Sequence, residues 1–332
     1  MLRRLPLSVC LPVLAAALLA GMLLAVGVGS VTVPLAETWD IVTGQAGDPV
    51  NTKIILDYRI PRVLLAALAG AGLSIAGAVL QALVTNPLAD PYVLGISSGA
   101  SVGAVLVMTM GSAVAGGLGV SSAAFAGAML ASLIVFVLGQ RQGRLTPTRL
   151  VLSGVAVGYV LLAATSYLQL QANPDELRKV MFWMLGSVAG AQWDQLPAVA
   201  TAVTACALGL MLYGRRLNAL VTGEESATAL GLDVRRARIG LLVVSSLLTG
   251  TVVAVVGGIG FVGLMIPHLV RLAFGTDHRR LLPVATLVGA TYMVLVDLLS
   301  RTVDRPAELP VGIFTAVFGA PFFIMLLRRE EA

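Results

Sequence analysis

Charge is scarce in this chain: Asp, Glu, Lys and Arg together make up 12% of its 332 residues, about half the share that soluble domains carry. Lysine is scarcer still. Only Lys53 and Lys179 occur, and neither follows the glycine-rich spacing of a phosphate-binding loop, so the chain supplies no ATPase of its own. The two histidines are isolated, and no H-E-x-x-H, G-x-S-x-G or Cys/His cluster is present. A membrane enzyme is therefore unsupported, and no catalytic residue, metal site or cofactor is expected. Cys10 and Cys206 both sit in apolar runs and read as small buried hydrophobes, not as a disulfide or metal pair. The formal charge of +5 is spread over loops and does not mark nucleic-acid binding.

What fills the chain is hydrophobic: 58% of residues, with a mean hydropathy of +0.93. Apolar runs lie at about 7–29, 62–85, 93–113, 118–139, 149–171, 196–213, 238–256, 259–274, 281–300 and 309–327. Crossing about 30 Å of hydrocarbon takes about 20 helical residues. The expected fold is an all-α polytopic membrane protein with about ten transmembrane helices, one transmembrane domain over residues 1–332. The first run follows Arg3-Arg4 but is too long for an export signal and lacks a small-x-small cleavage site, so it reads as an uncleaved span. Short cytoplasmic loops collect Lys and Arg. An inside N-terminus puts most of the basic residues inside, from Arg3 and Arg4 through Arg215, Arg216, Arg235, Arg236, Arg238, Arg271, Arg279 and Arg280 to Arg328 and Arg329. Both termini come out cytoplasmic. Between Arg238 and Arg271 there are too few residues for two full spans, which need about 40. The break is expected near Gly257-Gly258, with a short second arm containing Pro267. Such a segment is tolerable at membrane depth only under protein or water, so it should sit centrally.

Small residues four apart, Gly70, Ser74 and Ala78 or Gly72, Ala76 and Leu80, predict close backbone approach between helices. Arg59-Ile60-Pro61-Arg62 opens the second span on the outer face, against the usual charge bias. Pro61 suits a helical first turn, which predicts both arginines at a helix N-terminus, where the macrodipole adds to their positive potential. Arg301 and Arg305 lie in the last outer loop. These arginines either meet headgroups and the acids Asp57, Asp304 or Glu308, or capture carboxylates on a partner. The longest inner loop, 214–238, contains Gly223, Glu224, Glu225, Ser226, Ala227, Thr228, Ala229, Leu230, Gly231 and Leu232. Acids at the start and Gly231 at the end predict a short two-turn helix, with Leu230 and Leu232 as its apolar edge. It is either an interfacial tether or a lever inserted into a cytoplasmic motor. Among polar groups at span ends, Asn86-Pro87 and Asp90-Pro91 read as stop and turn, His268 as a packed ring, and Asp297 as a partner of Arg301 one turn on.

These motifs resemble the FecCD family of importer permeases. The matching segments are Arg59-Ile60-Pro61-Arg62, Gly77-Ala78-Val79-Leu80-Gln81-Ala82, Asn86-Pro87-Leu88-Ala89-Asp90-Pro91, Leu94-Gly95-Ile96-Ser97-Ser98-Gly99-Ala100, Gly260 to His268, Thr276-Asp277-His278-Arg279 and Ala307 to Gly312. The resemblance implies a type II ABC importer permease in the bacterial inner membrane, a second permease copy or paralogue, two ATPase subunits and a substrate-binding protein. It implies binding-protein docking at Arg59, Arg62 and Arg301, and ATPase coupling at Gly223, Glu224, Glu225, Ser226, Ala227, Leu230, Gly231 and Leu232. It also implies a path lined by the fifth and tenth spans, and cargo that is a ferric siderophore, with haem or a corrinoid as the alternative. The reading from another class is an ion-coupled transporter using Asp297 or His268.

Overall fold

The computed structural model describes residues 6–29, 31–45, 47–141 and 144–330; Arg3 and Arg4, assigned above to the inner face, lie outside them. Among the described residues the chain forms fourteen helices and one minimal hairpin, Gln140–Arg141 with Arg144–Leu145. The first half runs α1 (Leu7–Gly27), α2 (Leu35–Val42), α3 (Pro49–Val84), α4 (Ile96–Met110), α5 (Val120–Gly139), α6 (Pro147–Leu170) and α7 (Pro174–Met184). Then follow α8 (Leu196–Leu212), α9 (Gly214–Val221), α10 (Glu224–Ala229), α11 (Val234–Val256), α12 (Val262–Phe274), α13 (His278–Ser300) and α14 (Val311–Glu330). Six helices, α1, α3, α5, α6, α11 and α13, are long and apolar enough to cross a membrane. The pair α8 and α9, bent by 63°, makes a seventh if taken as one broken span, and α4, α12 and α14 are shorter apolar helices. Together these occupy the ten apolar runs of the sequence.

Helix α3 is the axis of the bundle. All of Pro61–Val84 except Leu64 and Leu68 is buried, under α13, α11, α12 and α8. Lipid is as apolar as leucine, so what holds such a helix is packing, and small residues permit it. A Cβ placed on Gly289 of α13 would lie 2.5 Å from the Gly70 carbonyl oxygen, and one on Gly77 would collide with the Gly263 backbone of α12. Gly70 and Ser74 are therefore a true contact face, as their spacing predicts.

The break after α11 falls at Gly257, whose φ is +72°, and the chain resumes helix at Val262 after Phe261 in the left-handed region. The arm α12 is short and carries Pro267 inside it. Protein covers the irregular backbone: Ile259 N–H donates to Tyr92 Oη at 2.6 Å, and Ser187 N–H to Val256 O at 2.8 Å. Cover by protein is the condition for irregular backbone at this depth.

The helix start predicted at Pro61 is corrected by the fold. The helix begins at Pro49, where Asp48 accepts from Val50 N–H and Asn51 N–H, so Arg59 and Arg62 lie in its interior. Residues Ile54–Arg59 form a π turn in which Ile60 N–H bonds to Ile55 O. That widened turn absorbs Pro61, which has no N–H to give to a regular ladder. The loop 214–238 also differs from expectation. It holds α9 as well as α10, because Gly214-Arg215-Arg216-Leu217 continues as helix after the bend.

Candidate functional site

Arg59, Arg62 and Arg301, far apart in sequence, line one cavity of about 360 Å³ together with Gly29, Tyr58, Ala189 and Glu308. The arginines are buried within it, not spread on a surface. Arg59 Nη1 donates to Val26 O at 2.8 Å and Gly27 O at 2.9 Å, and Nη2 donates to Val31 O. Its charge therefore caps the C-terminus of α1, the negative end of that helix dipole, and not an N-terminus. Gly29 leaves the room this requires, since a Cβ there would lie 2.8 Å from Arg59 Nη2.

Arg62 bridges two acids. Nε meets Asp297 Oδ1 and Nη1 meets Glu308 Oε2, both at 2.8 Å. Asp297, fully buried on α13, also faces Arg301 Nη2 at 3.3 Å. Pairing of Asp297 with Arg301 follows the spacing of one helical turn; its pairing with Arg62 does not. Arg301 makes the ion pair but no hydrogen bond from Nε or Nη2 among the described residues. Burial pushes its guanidinium down to about 10, with Asp297 opposing and the Arg62 and Arg59 charges adding to the shift. It stays cationic at neutral pH. Three guanidiniums face two carboxylates, so the cavity carries surplus positive charge and unused donors. Asp57 and Asp304 take no part in it among the described residues, and Arg305 stands exposed outside its lining.

At the other end of α13 sits the loop 214–238. Glu224–Ala229 is helical, as predicted, and Gly231 at φ +80° ends it, with Leu232 N–H donating to Ala227 O at 3.0 Å. Gly223 enters the helix at φ +111°, a conformation that favours glycine. Glu224 Oε2 pairs with Arg238 Nη1 at 3.2 Å, and that same Nη1 donates to Leu145 O, tying the loop to the hairpin after α5. Ala227 is buried and anchors α10, Glu225 and Ser226 are exposed, and Leu230 is 73% exposed. Leu232 turns inward and packs on the core, so only half of the expected apolar edge is free.

Sequence reasoning missed the joint between α9 and α13. Asn218 Oδ1 accepts from His278 N–H at 2.9 Å and lies 2.8 Å from His278 Nδ1, while Asn218 Nδ2 donates to Asp277 Oδ1 at 2.7 Å. The Thr276-Asp277-His278-Arg279 motif was the signal that marked it. A second missed contact joins α3 to α12: Gln81 Nε2 donates to Gly263 O at 3.3 Å, and Arg271 Nη2 donates to Gln81 Oε1. His268 packs edge-on against Phe322, ring centroids 5.8 Å apart, as a packed histidine should. Asp90 accepts from Tyr92 N–H and opens the turn at Pro91–Leu94, and Cys10 and Cys206 are unbridged.

A polytopic helical bundle with a buried arginine cavity at one end and a helical loop at the other has the architecture of a membrane permease. Residues 17–329 match the FecCD transport family, and the chain belongs to that family: it is a permease subunit of an ABC importer, of the type II fold. It is 44% identical to the cobalamin import system permease BtuC of Halobacterium salinarum, over 86% of this chain and 77% of that one. It is 40% identical to the hemin transport system permease HmuU of Yersinia pestis, over 91% and 90%. With the iron(3+)-hydroxamate permease FhuG of Bacillus subtilis it shares 34% over 93% of each. The solved structure of a metal-chelate type ABC transporter in an inward-facing conformation superimposes with a TM-score of 0.85 at 32% identity, covering 96% of this chain and 99% of that one.

Proposed function

We propose that this chain is the membrane half of an importer that takes a metal chelate from a binding protein and releases it to the cytoplasm, driven by separate ATPase subunits. The observation that carries the docking part is the cavity of Arg59, Arg62 and Arg301, which has more cationic donors than acids to fill them. Arginine's planar fork suits carboxylates on a partner's surface. Within the loop 214–238, the segment 223–232 receives the ATPase, with the exposed residues Glu225, Ser226 and Leu230 as its contact and Gly223, Glu224, Ala227, Gly231 and Leu232 shaping the helix.

The family resemblance is what supports a second permease copy against α6 and α14, with the path between; both helices present apolar faces (Leu152, Tyr159, Val160; Ile313, Val317, Phe318) that such a copy could cover. Both termini face the cytoplasm and the chain resides in the inner membrane, on the charge distribution of its loops. An ion-coupled mechanism gains no support: Asp297 is held by two arginines and His268 is packed against Phe322.

For cargo, a corrinoid or haem stands beside the ferric siderophore that the resemblance implies. The corrinoid and haem permeases stand at 44% and 40% identity, the hydroxamate permease at 34%. The test is vesicle ATPase activity of the chain assembled with its ATPase and binding protein, the latter loaded in turn with cobalamin, haem or a ferric hydroxamate. Stimulation by one loaded form identifies the cargo. Absence of any co-purifying ATPase and of any stimulation overturns the importer mechanism.

A further inference from the structure

We propose that Asn218 is a positioning residue that couples the loop 214–238 to the arginine cavity through α13, making α13 the element by which docking reaches the ATPase. This rests on the functional reading above.

Helix α13 carries polar contacts of both sites, and the central helix α3, which bears Arg59 and Arg62, also packs against α9. At its first turn, Asn218 of α9 holds the His278 N–H, the His278 ring and the Asp277 carboxylate at 2.7–2.9 Å. Three of the four hydrogen-bonding positions of the side chain are used, two at Oδ1 and one at Nδ2. Gly214, at the head of α9, packs against Arg279, so the two helices meet twice. Nineteen residues later, about 28 Å along the axis, Asp297 holds Arg62 and Arg301.

Between these ends α13 cannot slide freely on the central helix. Gly289 is in backbone contact with Gly70, with Ser74 filling the space beside it. Arg62 on α3 and Asp297 on α13 then lock the pair again at the cavity. A carboxylate entering the cavity competes for Arg62 and Arg301 and so acts directly on Asp297, which α13 carries. Any axial shift or rotation of α13 must move Asp277 and His278, and Asn218 passes that displacement to α9, next to α10. Close-packed helices respond as rigid bodies with discrete arrangements, which is what such a relay needs.

Spatial intermediacy alone is not coupling, so the test is a double-mutant cycle on the assembled importer in vesicles. Asn218→Asp puts a carboxylate against Asp277 and removes the donor. Asp277→Asn supplies a donor from the opposite side while still able to cap α13. Three quantities are read: binding-protein docking affinity, basal ATPase rate and the stimulation by loaded binding protein. Expected for Asn218→Asp is a loss of stimulation of at least fivefold, with docking and basal rate within twofold of wild type. The combination of Asn218→Asp with Asp277→Asn should recover stimulation to within twofold.

Unchanged stimulation in Asn218→Asp overturns the proposal. So does a parallel fall of basal and stimulated rates, because that marks a merely structural joint, or a double variant no better than the single. Failure of the functional reading is separate: it would appear as no docking or no stimulation in the wild-type complex.

Discussion

Arg62 and Asp297 are 235 positions apart in the chain and form a 2.8 Å ion pair, with Asp297 fully buried. Asp297 answers Arg301 as well, so one carboxylate offsets two guanidiniums. Removing one member of a buried ionic cluster leaves an uncompensated charge, at a typical cost of about 3–5 kcal/mol. Asp297→Asn should therefore lower the thermal midpoint of the detergent-solubilised protein markedly, measured by the unfolding of its buried core. A midpoint within a degree of wild type would contradict the burial of the cluster.

Glu308 occupies the Arg62 fork from the half-exposed side of the cavity. An incoming carboxylate competes with it for that fork. Arg62→Glu should weaken binding-protein docking at least tenfold, whereas Glu308→Gln should tighten it severalfold by freeing Nη1. Docking affinity measured on immobilised importer distinguishes the two, and opposite signs are expected.

The helix contacts predict a contrast among glycines. Gly77→Val drives a side chain into the Gly263 backbone and should abolish assembly, since neither backbone can yield. Gly209→Ala meets open space and should leave expression and midpoint unchanged. Yield of monodisperse protein after size exclusion tests both.

Leu230 stands 73% exposed at the end of α10. Leu230→Asp removes an apolar contact that the chain itself does not use. The fold should keep its midpoint while the co-purified ATPase falls at least tenfold. Retention of the ATPase would move its seat away from this helix.

Asp277 offers a pH test outside the membrane. Burial alone would raise its carboxyl, but the Asn218 amide, the Arg279 N–H and the charges of Arg279 and Arg280 hold it below the usual carboxylate range. An acid with a depressed folded value stabilises the fold above its unfolded value and loses that contribution as pH falls through the folded one. Asp277→Asn should therefore lower the thermal midpoint at pH 7, and the difference from wild type should shrink toward zero below about pH 4. A difference that persists undiminished in acid would mean that charge is not what Asp277 contributes.

Much of this molecule is written locally. Ten apolar runs, the glycine-marked end of α10, the short arm with Pro267 and the packing stripe of Gly70 and Ser74 all follow from hydropathy, helix-stop chemistry and residue size, which act over a few residues. The same reasoning placed Arg59 and Arg62 at a helix start, because Pro61 is a good first-turn residue and nothing local announces a π turn that can hold it inside a longer helix.

What the sequence by itself determined, then, is that the chain spans a membrane many times and where its spans break. Only the tertiary structure decided the partners of its polar side chains: Arg59 on the carbonyl end of α1, Arg62 between Asp297 and Glu308, Asn218 on the head of α13. The physical reason is range. Helix formation and membrane insertion depend on neighbours in sequence, whereas a buried charge is compensated by whatever acid the packing brings within about 3 Å, and packing is a property of the whole bundle.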